Sequence, residues 1–500
     1  MRKFLCGIVL VSAVLFILSG CGKETSILEN GGSMTDDSYA ALSPGAKEEA
    51  YENKLFFRPT KDGDKIPYVG DPMPYYEDGT YYIYYLKDGG DSFNHSVYLT
   101  TTEDFTEYKE YDDPILKSGT SGQDNWIGTG SVVKTEDSYY FFYTGHNDTP
   151  SSEYVEKVMV AKGSDLKHFE KIDDWDITPP AELGQKRDFR DPQAYYDSKT
   201  GKITLTITAA MNGKARILKY TLSKDLTEVN YDGIIFTDET GTFWNLECSD
   251  TFKIGNTWYL TYSAQDDTLW YAKSDEAYGP YSKPQRLDGK LFYAAKHVEN
   301  GKDGYMVGWA RRSTSVISTS EVSGWAGNLV AQKIEQKENG DLVLTCNDDI
   351  AESFKGKKGS SEKNFTLEKD KERAYEEIGK APECFMVKGK LSFEGMESFG
   401  MAFDYNGSEN KYKLIEIDPK DKVIRLTFNN GSNFITETSA FIEAGKTYDF
   451  TYIQDGSTGV FYLDKVASLT VRLYGVTGRN VMFYSDNSKV WFTKVIAYKR

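Results

Sequence analysis

The chain has 500 residues, too many for one ordinary core, so two domains behind a leader are expected. Its composition is globular, and 36 tyrosines within a 14% aromatic fraction favour half-buried strands and suit flat sugar rings. A net charge of −17 repels nucleic acid and anionic polymers, whereas a neutral substrate such as a carbohydrate is compatible with it.

The first residues read as a targeting signal. Arg2 and Lys3 precede an apolar run from Phe4 to Leu18, long enough for a secretory h-region and too short for a membrane span. Leu18-Ser19-Gly20-Cys21 resembles the lipobox of bacterial lipoproteins, which implies cleavage before Cys21 and a lipid on its thiol. Residues 1–21 are therefore expected to be a lipoprotein signal peptide and 22–50 a flexible polar tether. The mature protein would then sit extracytoplasmically, held on a bacterial membrane by its lipid alone; an ordinary secreted protein is the alternative.

Among the other cysteines, Cys6 leaves with the leader. Cys248, Cys346 and Cys384 form an odd set without paired spacing, so neither disulfides nor zinc are indicated. The four histidines are scattered, and no metal or other cofactor is expected.

From Phe56 to about Lys333 the chain is a series of short aromatic and β-branched runs broken by Gly, Asp and Asn turns. Tyr81–Leu86, Tyr139–Thr144, Ile203–Thr208 and Thr257–Ser263 are examples. The runs group into units of roughly 45 to 60 residues that open at Asp71, Gly130, Asp191, Glu247 and Tyr293. Five openings at that period predict an all-β, five-bladed β-propeller over 51–345, a ring that leaves only short edges. A charged stretch, 346–371, reads as a linker. Strand-like runs at 411–417, 423–428, 448–453 and 481–484 then predict a C-terminal β-sandwich over 372–500.

In a propeller the first strand of each blade lines the central channel, so acids at those positions converge despite their distance in sequence. Three stand at openings: Asp71 in Gly70-Asp71-Pro72, Asp191 in Arg190-Asp191-Pro192, and Glu247 in Leu246-Glu247-Cys248. Converging carboxylates repel, which splits their pKa values and lets one act as an acid while another stays ionised. Glycoside hydrolysis needs such a pair. Asp-Pro also starts ordinary turns, so a single one of these acids would carry little weight.

Taken together, the openings resemble family 32 of the glycoside hydrolases, which contains invertases, levanases and inulinases. Its Asn-Asp-Pro-Asn-Gly motif is matched by Gly70-Asp71-Pro72-Met73-Pro74, and its Ser-Gly-Ser segment by Thr129-Gly130-Ser131. Arg190-Asp191-Pro192 and Glu247-Cys248 are intact, Phe292-Tyr293-Ala294 follows, and Trp325-Ala326-Gly327 looks like a signature near the propeller's end. The resemblance implies Asp71 as nucleophile on a β-fructosyl carbon, Glu247 as acid and then base, and Asp191 as a partner of sugar hydroxyls. It implies Arg190 as the orienting cation, with Ser131, Trp126, Trp244 and Tyr293 as further substrate contacts.

The departures are specific. Gly70 and Met73 stand where the motif has asparagines, Pro74 where it has glycine, Ser249 where proline follows Glu-Cys, and Lys296 where glutamine is common. They bear on substrate identity more than on reaction class. Two other readings stay open: an inverting, arabinan- or xylan-cleaving five-bladed hydrolase, and a glycan-binding surface lipoprotein that has lost catalysis. Linkage preference, exo or endo action, transferase activity and oligomeric state are not encoded legibly.

Overall fold

The structure, a computed structural model, describes residues 52–60, 67–88, 95–313, 322–355, 361–368, 372–404, 412–428 and 433–500. The leader, Cys21 and the tether lie outside them. Twenty strands form five antiparallel blades, each running outward from an innermost strand. The innermost strands are Tyr68–Glu77, Trp126–Lys134, Phe189–Asp197, Leu246–Ile254 and Phe292–Glu299. They touch one another in cyclic order, so the fold is a five-bladed propeller. Blade 5 joins blade 1 directly, Val69 pairing with Gly327.

A common irregularity shapes the channel. Every innermost strand slips register near its start: between Gly70 and Met73, Gly128 and Gly130, Arg190 and Gln193, Glu247 and Asp250, and Tyr293 and Lys296. Such bulges twist a strand and re-aim its side chains. Four carry a left-handed residue that is not glycine: Asp71 (φ 39°), Asp191 (φ 58°), Cys248 (φ 52°) and Ala294 (φ 52°). That conformation costs about 1–2 kcal/mol per residue, so the neighbouring blades must hold it.

The neighbours do so through one repeated position. Thr144, Thr208, Ser263 and Trp309 each pair across their blade with the residue just before a bulge or its equivalent. Each then reaches the next blade around the ring. Thr144 Oγ1 accepts from Asp191 N at 2.8 Å, and Ser263 Oγ accepts from Ala294 N at 2.9 Å. Thr208 Oγ1 donates to Leu246 O at 2.6 Å, and Trp309 Nε1 donates to Asp71 Oδ1 at 3.1 Å. Blade 1 has Leu86 at the matching place, opposite Gly70.

Two six-stranded sheets form the C-terminal sandwich around an aliphatic and phenylalanine core. One of them includes Lys363–Leu367, paired to the last strand, so part of the segment expected as linker belongs to the sandwich. Its exposed Asn364 and Thr366 alternate with inward Phe365 and Leu367, a strand pattern that the surrounding charges hide. The sandwich shares a core with the propeller, where Met386, Ile453 and Tyr462 join residues of blades 1, 4 and 5. Polar ties reinforce it. Buried Arg472 donates to Ala310 O at 2.7 Å, and Asp455 Oδ2 accepts from the N–H groups of Lys54, Leu55 and Phe56 at 2.7–3.1 Å.

Candidate active site

The bulges turn Asp71, Asp191 and Glu247 into one cavity of about 190 Å³ at an end of the channel. Asp71 is gripped on both oxygens. Thr129 Oγ1 donates to Oδ2 at 2.8 Å from blade 2, and the Trp309 indole donates to Oδ1 from blade 5. Burial raises its pKa and the nearby Glu247 charge adds to this, while those two donors oppose the rise.

Glu247 is held differently. Its Oε1 accepts from Arg190 Nη2 at 2.9 Å and its Oε2 from the Tyr293 hydroxyl at 2.5 Å. Burial and the Glu247 charge keep the Tyr293 phenol far above its ordinary pKa, so it remains a donor. Asp191 is 3% exposed and accepts from Cys248 N at 2.8 Å. Burial, with the Glu247 and Asp71 charges, pushes its carboxyl up to about 7 against the pull of Arg190 and that N–H.

Arg190 also bridges to Glu156 at 3.3 Å and to Asp188 at 3.2 Å, and it lies over the Trp244 ring at 5.5 Å. Burial works against ionisation of Glu156, but the His146 ring, Arg190 and the Phe189 N–H outweigh it and bring its carboxyl down to about 2. Among the described residues, four carboxyl groups and one guanidinium thus line the cavity.

The residues read as sugar contacts divide. Trp126 and Tyr293 line the cavity. Trp244 is 49% exposed and touches the site through Arg190. Ser131 points away: its hydroxyl donates to Pro192 O and accepts from Ala194 N, which ties blade 2 to blade 3. It is a strut between blades, since the bulge at Gly128–Gly130 sends the Thr129 side chain inward instead.

Sequence reasoning passed over Thr129, Glu156, His95 and the role of Trp325. His95 stacks on Trp325 at 4.5 Å and stands 6.2 Å from Trp126, forming an aromatic wall. Burial lowers the His95 pKa, so the ring favours its neutral form. Two of them carried a signal, Thr129 as part of Thr129-Gly130-Ser131 and Trp325 as part of Trp325-Ala326-Gly327; Glu156 and His95 stand in unremarkable local sequence.

Residues 67–345 match the model of the glycosyl hydrolases family 32 N-terminal domain. Sucrose-6-phosphate hydrolase of Escherichia coli is 25% identical over 265 residues, which is 49% of this chain and 54% of that protein. The match thus spans about half the length of that curated relative. The exo-inulinase of Aspergillus awamori superposes with a TM-score of 0.70 at 16% identity, covering 92% of this chain and 99% of that one. A mutant of the Bombyx mori β-fructofuranosidase, solved in complex with sucrose, gives 0.68 at 17% identity, covering 92% and 95%. These likenesses extend through both domains and establish a propeller followed by a sandwich. With more than half of its length matched by the family model, the chain belongs to glycosyl hydrolase family 32.

Proposed function

We propose that the chain is a glycosidase that hydrolyses β-fructofuranosyl bonds of neutral sugars, by double displacement through Asp71 and Glu247. The observation that carries this is the contrast between those two carboxyls within one cavity. Asp71 is fixed by two donors on opposite oxygens, which favours its ionised form and aims a lone pair into the cavity. Glu247 is suspended between Arg190 and the Tyr293 hydroxyl at the wall, placed to exchange a proton with a leaving oxygen.

In the first step an Asp71 oxygen attacks the anomeric carbon while the Glu247 proton passes to the departing glycosidic oxygen. A fructosyl ester on Asp71 results. Water then attacks the same carbon, its proton returns to Glu247, and the Asp71 carboxylate is released. Asp191 would take hydrogen bonds from fructosyl hydroxyls as positive charge develops on the ring. A cavity of about 190 Å³ suits one sugar ring, since about 150 Å³ already holds benzene.

The lining charge also bears on substrate. An acid-rich lining with Arg190 as its guanidinium favours an uncharged sugar over a phosphorylated one, although the curated relative is named for a sugar phosphate. A lipid on Cys21 would place the enzyme outside the cytoplasm, a reading supported by the lipobox-like Leu18-Ser19-Gly20-Cys21.

The test is release of free sugar from sucrose, sucrose 6-phosphate, inulin, levan and arabinan by the protein without residues 1–21. Fructose from the uncharged fructosides, at least tenfold faster than from the phosphate, is expected. Arabinose release would transfer the chain to the inverting reading, and binding without turnover to the glycan-binding one.

A further inference from the structure

Arg190 engages the carboxylates from the cavity wall, but a second cation lies buried deeper in the ring of blades. Lys296 stands on the innermost strand of blade 5, at the end of the bulge, and is 1% exposed. Its ammonium donates to Gly130 O on blade 2 at 2.8 Å and to Gln193 Oε1 on blade 3 at 3.0 Å. Both acceptors are neutral, and among the described residues no carboxylate forms an ion pair with it within 4.0 Å. A buried ammonium given only neutral acceptors is disfavoured unless a negative potential surrounds it.

That potential comes from the carboxyls of the channel. Lys296 acts through space on Asp71, on the Cys248 thiol and on Asp250, whose buried carboxyl is pushed up to about 6. The groups that face Asp71 come from every neighbouring blade. Glu247 and Cys248 face it from blade 4, Asp191 from blade 3, Thr129 from blade 2, and Trp309 and Lys296 from blade 5. Glu247 disfavours ionisation of Asp71 and Lys296 favours it. Arg190 is already engaged by Glu247, Glu156 and Asp188, and Arg311, which lies over the Tyr293 and Trp309 rings at 5.1 and 5.3 Å, is paired with Asp267 at 2.6 Å.

We propose that Lys296 is a positioning residue for the reaction: anchored on Gly130, the neighbour of the Thr129 that grips Asp71, its charge favours the carboxylate form of Asp71 for attack. The inference rests on the nucleophile role proposed for Asp71. It also gives a reason for the departure at this position, because a glutamine could keep hydrogen bonds across the ring but supply no charge. The chain that has Gly70 and Met73 beside Asp71, in place of two amides, carries a buried cation tied to blades 2 and 3 instead.

The experiment compares Lys296→Gln, which keeps an amide donor, with Lys296→Met, which keeps length and loses charge and donor. Two readouts are taken: the acid limb of kcat/KM, and the pH midpoint of tryptophan fluorescence. The second is a difference against the matching Asp71→Asn protein, because the Trp309 indole donates to Asp71. Both limb and midpoint are expected to move up in each variant, with a severalfold loss of kcat/KM below the limb. Unmoved limb and midpoint with only a lower Tm would make Lys296 a mere strut and overturn the proposal. Should Lys296→Met fail to fold, Lys296→Gln decides alone. The fluorescence midpoint needs no turnover, so a shifted midpoint without hydrolysis of any fructoside upholds the coupling and rejects the fructosidase reading separately.

Discussion

The indole of Trp325 fills the space in which any side chain at Gly70 would lie: a Cβ there would come within 2.0 Å of Trp325 Cη2. The missing asparagine next to Asp71 is therefore matched by a ring packed onto the backbone, backed by His95. A sugar seated in the cavity would meet an aromatic face where the family motif offers an amide.

Gly70→Ala is expected to displace that indole, and Trp325→Ala to remove it. Each should raise KM about tenfold with a smaller change in kcat, in line with the 0.5–1.5 kcal/mol of an aromatic contact. Because both changes abolish one wall, the double variant should be little worse than either alone. Additive losses in KM would show that Gly70 and Trp325 act independently.

Tyr293→Phe removes the hydroxyl on Glu247 Oε2 and keeps the ring that packs against Trp309 at 5.3 Å. Steady-state kinetics should show kcat lowered about tenfold to a hundredfold with Tm almost unchanged. A variant with full kcat would remove Tyr293 from any part in proton transfer.

Asp191 links the site to stability. Its folded pKa of about 7 lies above the unfolded value near 3.9, so the native state binds the extra proton between those pH values. This carboxyl therefore lowers stability progressively as pH rises from about 4 to about 7. Asp191→Asn keeps an acceptor for Cys248 N and removes that effect. Its Tm should exceed that of the wild type at pH 8 and converge with it near pH 4, while activity is lost. Parallel Tm profiles would mean that Asp191 is ionised at ordinary cost.

How much was legible in the sequence follows from which contacts are local. The five openings at Asp71, Gly130, Asp191, Glu247 and Tyr293 all fall on bulged innermost strands, because a bulge imposes its own short composition of acids, small residues and glycine. Glu156 had no such mark, and Lys296, at the end of the blade 5 bulge, stood out only as a departure from glutamine. Glu156 matters through Arg190 and Lys296 through Gly130, partners on other blades that only ring closure brings near. Thr144, Thr208 and Ser263 look like ordinary strand hydroxyls until their register opposite the bulge is known. Ser131 was misplaced for the complementary reason: one residue of slip turns its hydroxyl from the channel to blade 3.

The shared core makes a separate demand. A chain ending at Ile350 would uncover the propeller surface packed by Met386, Ile453 and Tyr462, and it would lose the Arg472 and Asp455 ties. Light scattering should show such a truncation aggregating. Arg472→Ala in the full chain, which leaves buried carbonyls of blade 5 unpaired, should lower Tm by several degrees without changing KM. A soluble, active truncation would show that the propeller stands alone.

The most direct measurement follows sucrose cleavage by the wild type and by Asp71→Asn in buffer containing methanol, with 13C NMR reading the anomer of the methyl fructoside formed. A double displacement through Asp71 should yield methyl β-fructofuranoside with the wild type and neither transfer product nor fructose with the variant. Formation of the α-anomer, or undiminished turnover by Asp71→Asn, would contradict Asp71 as the nucleophile.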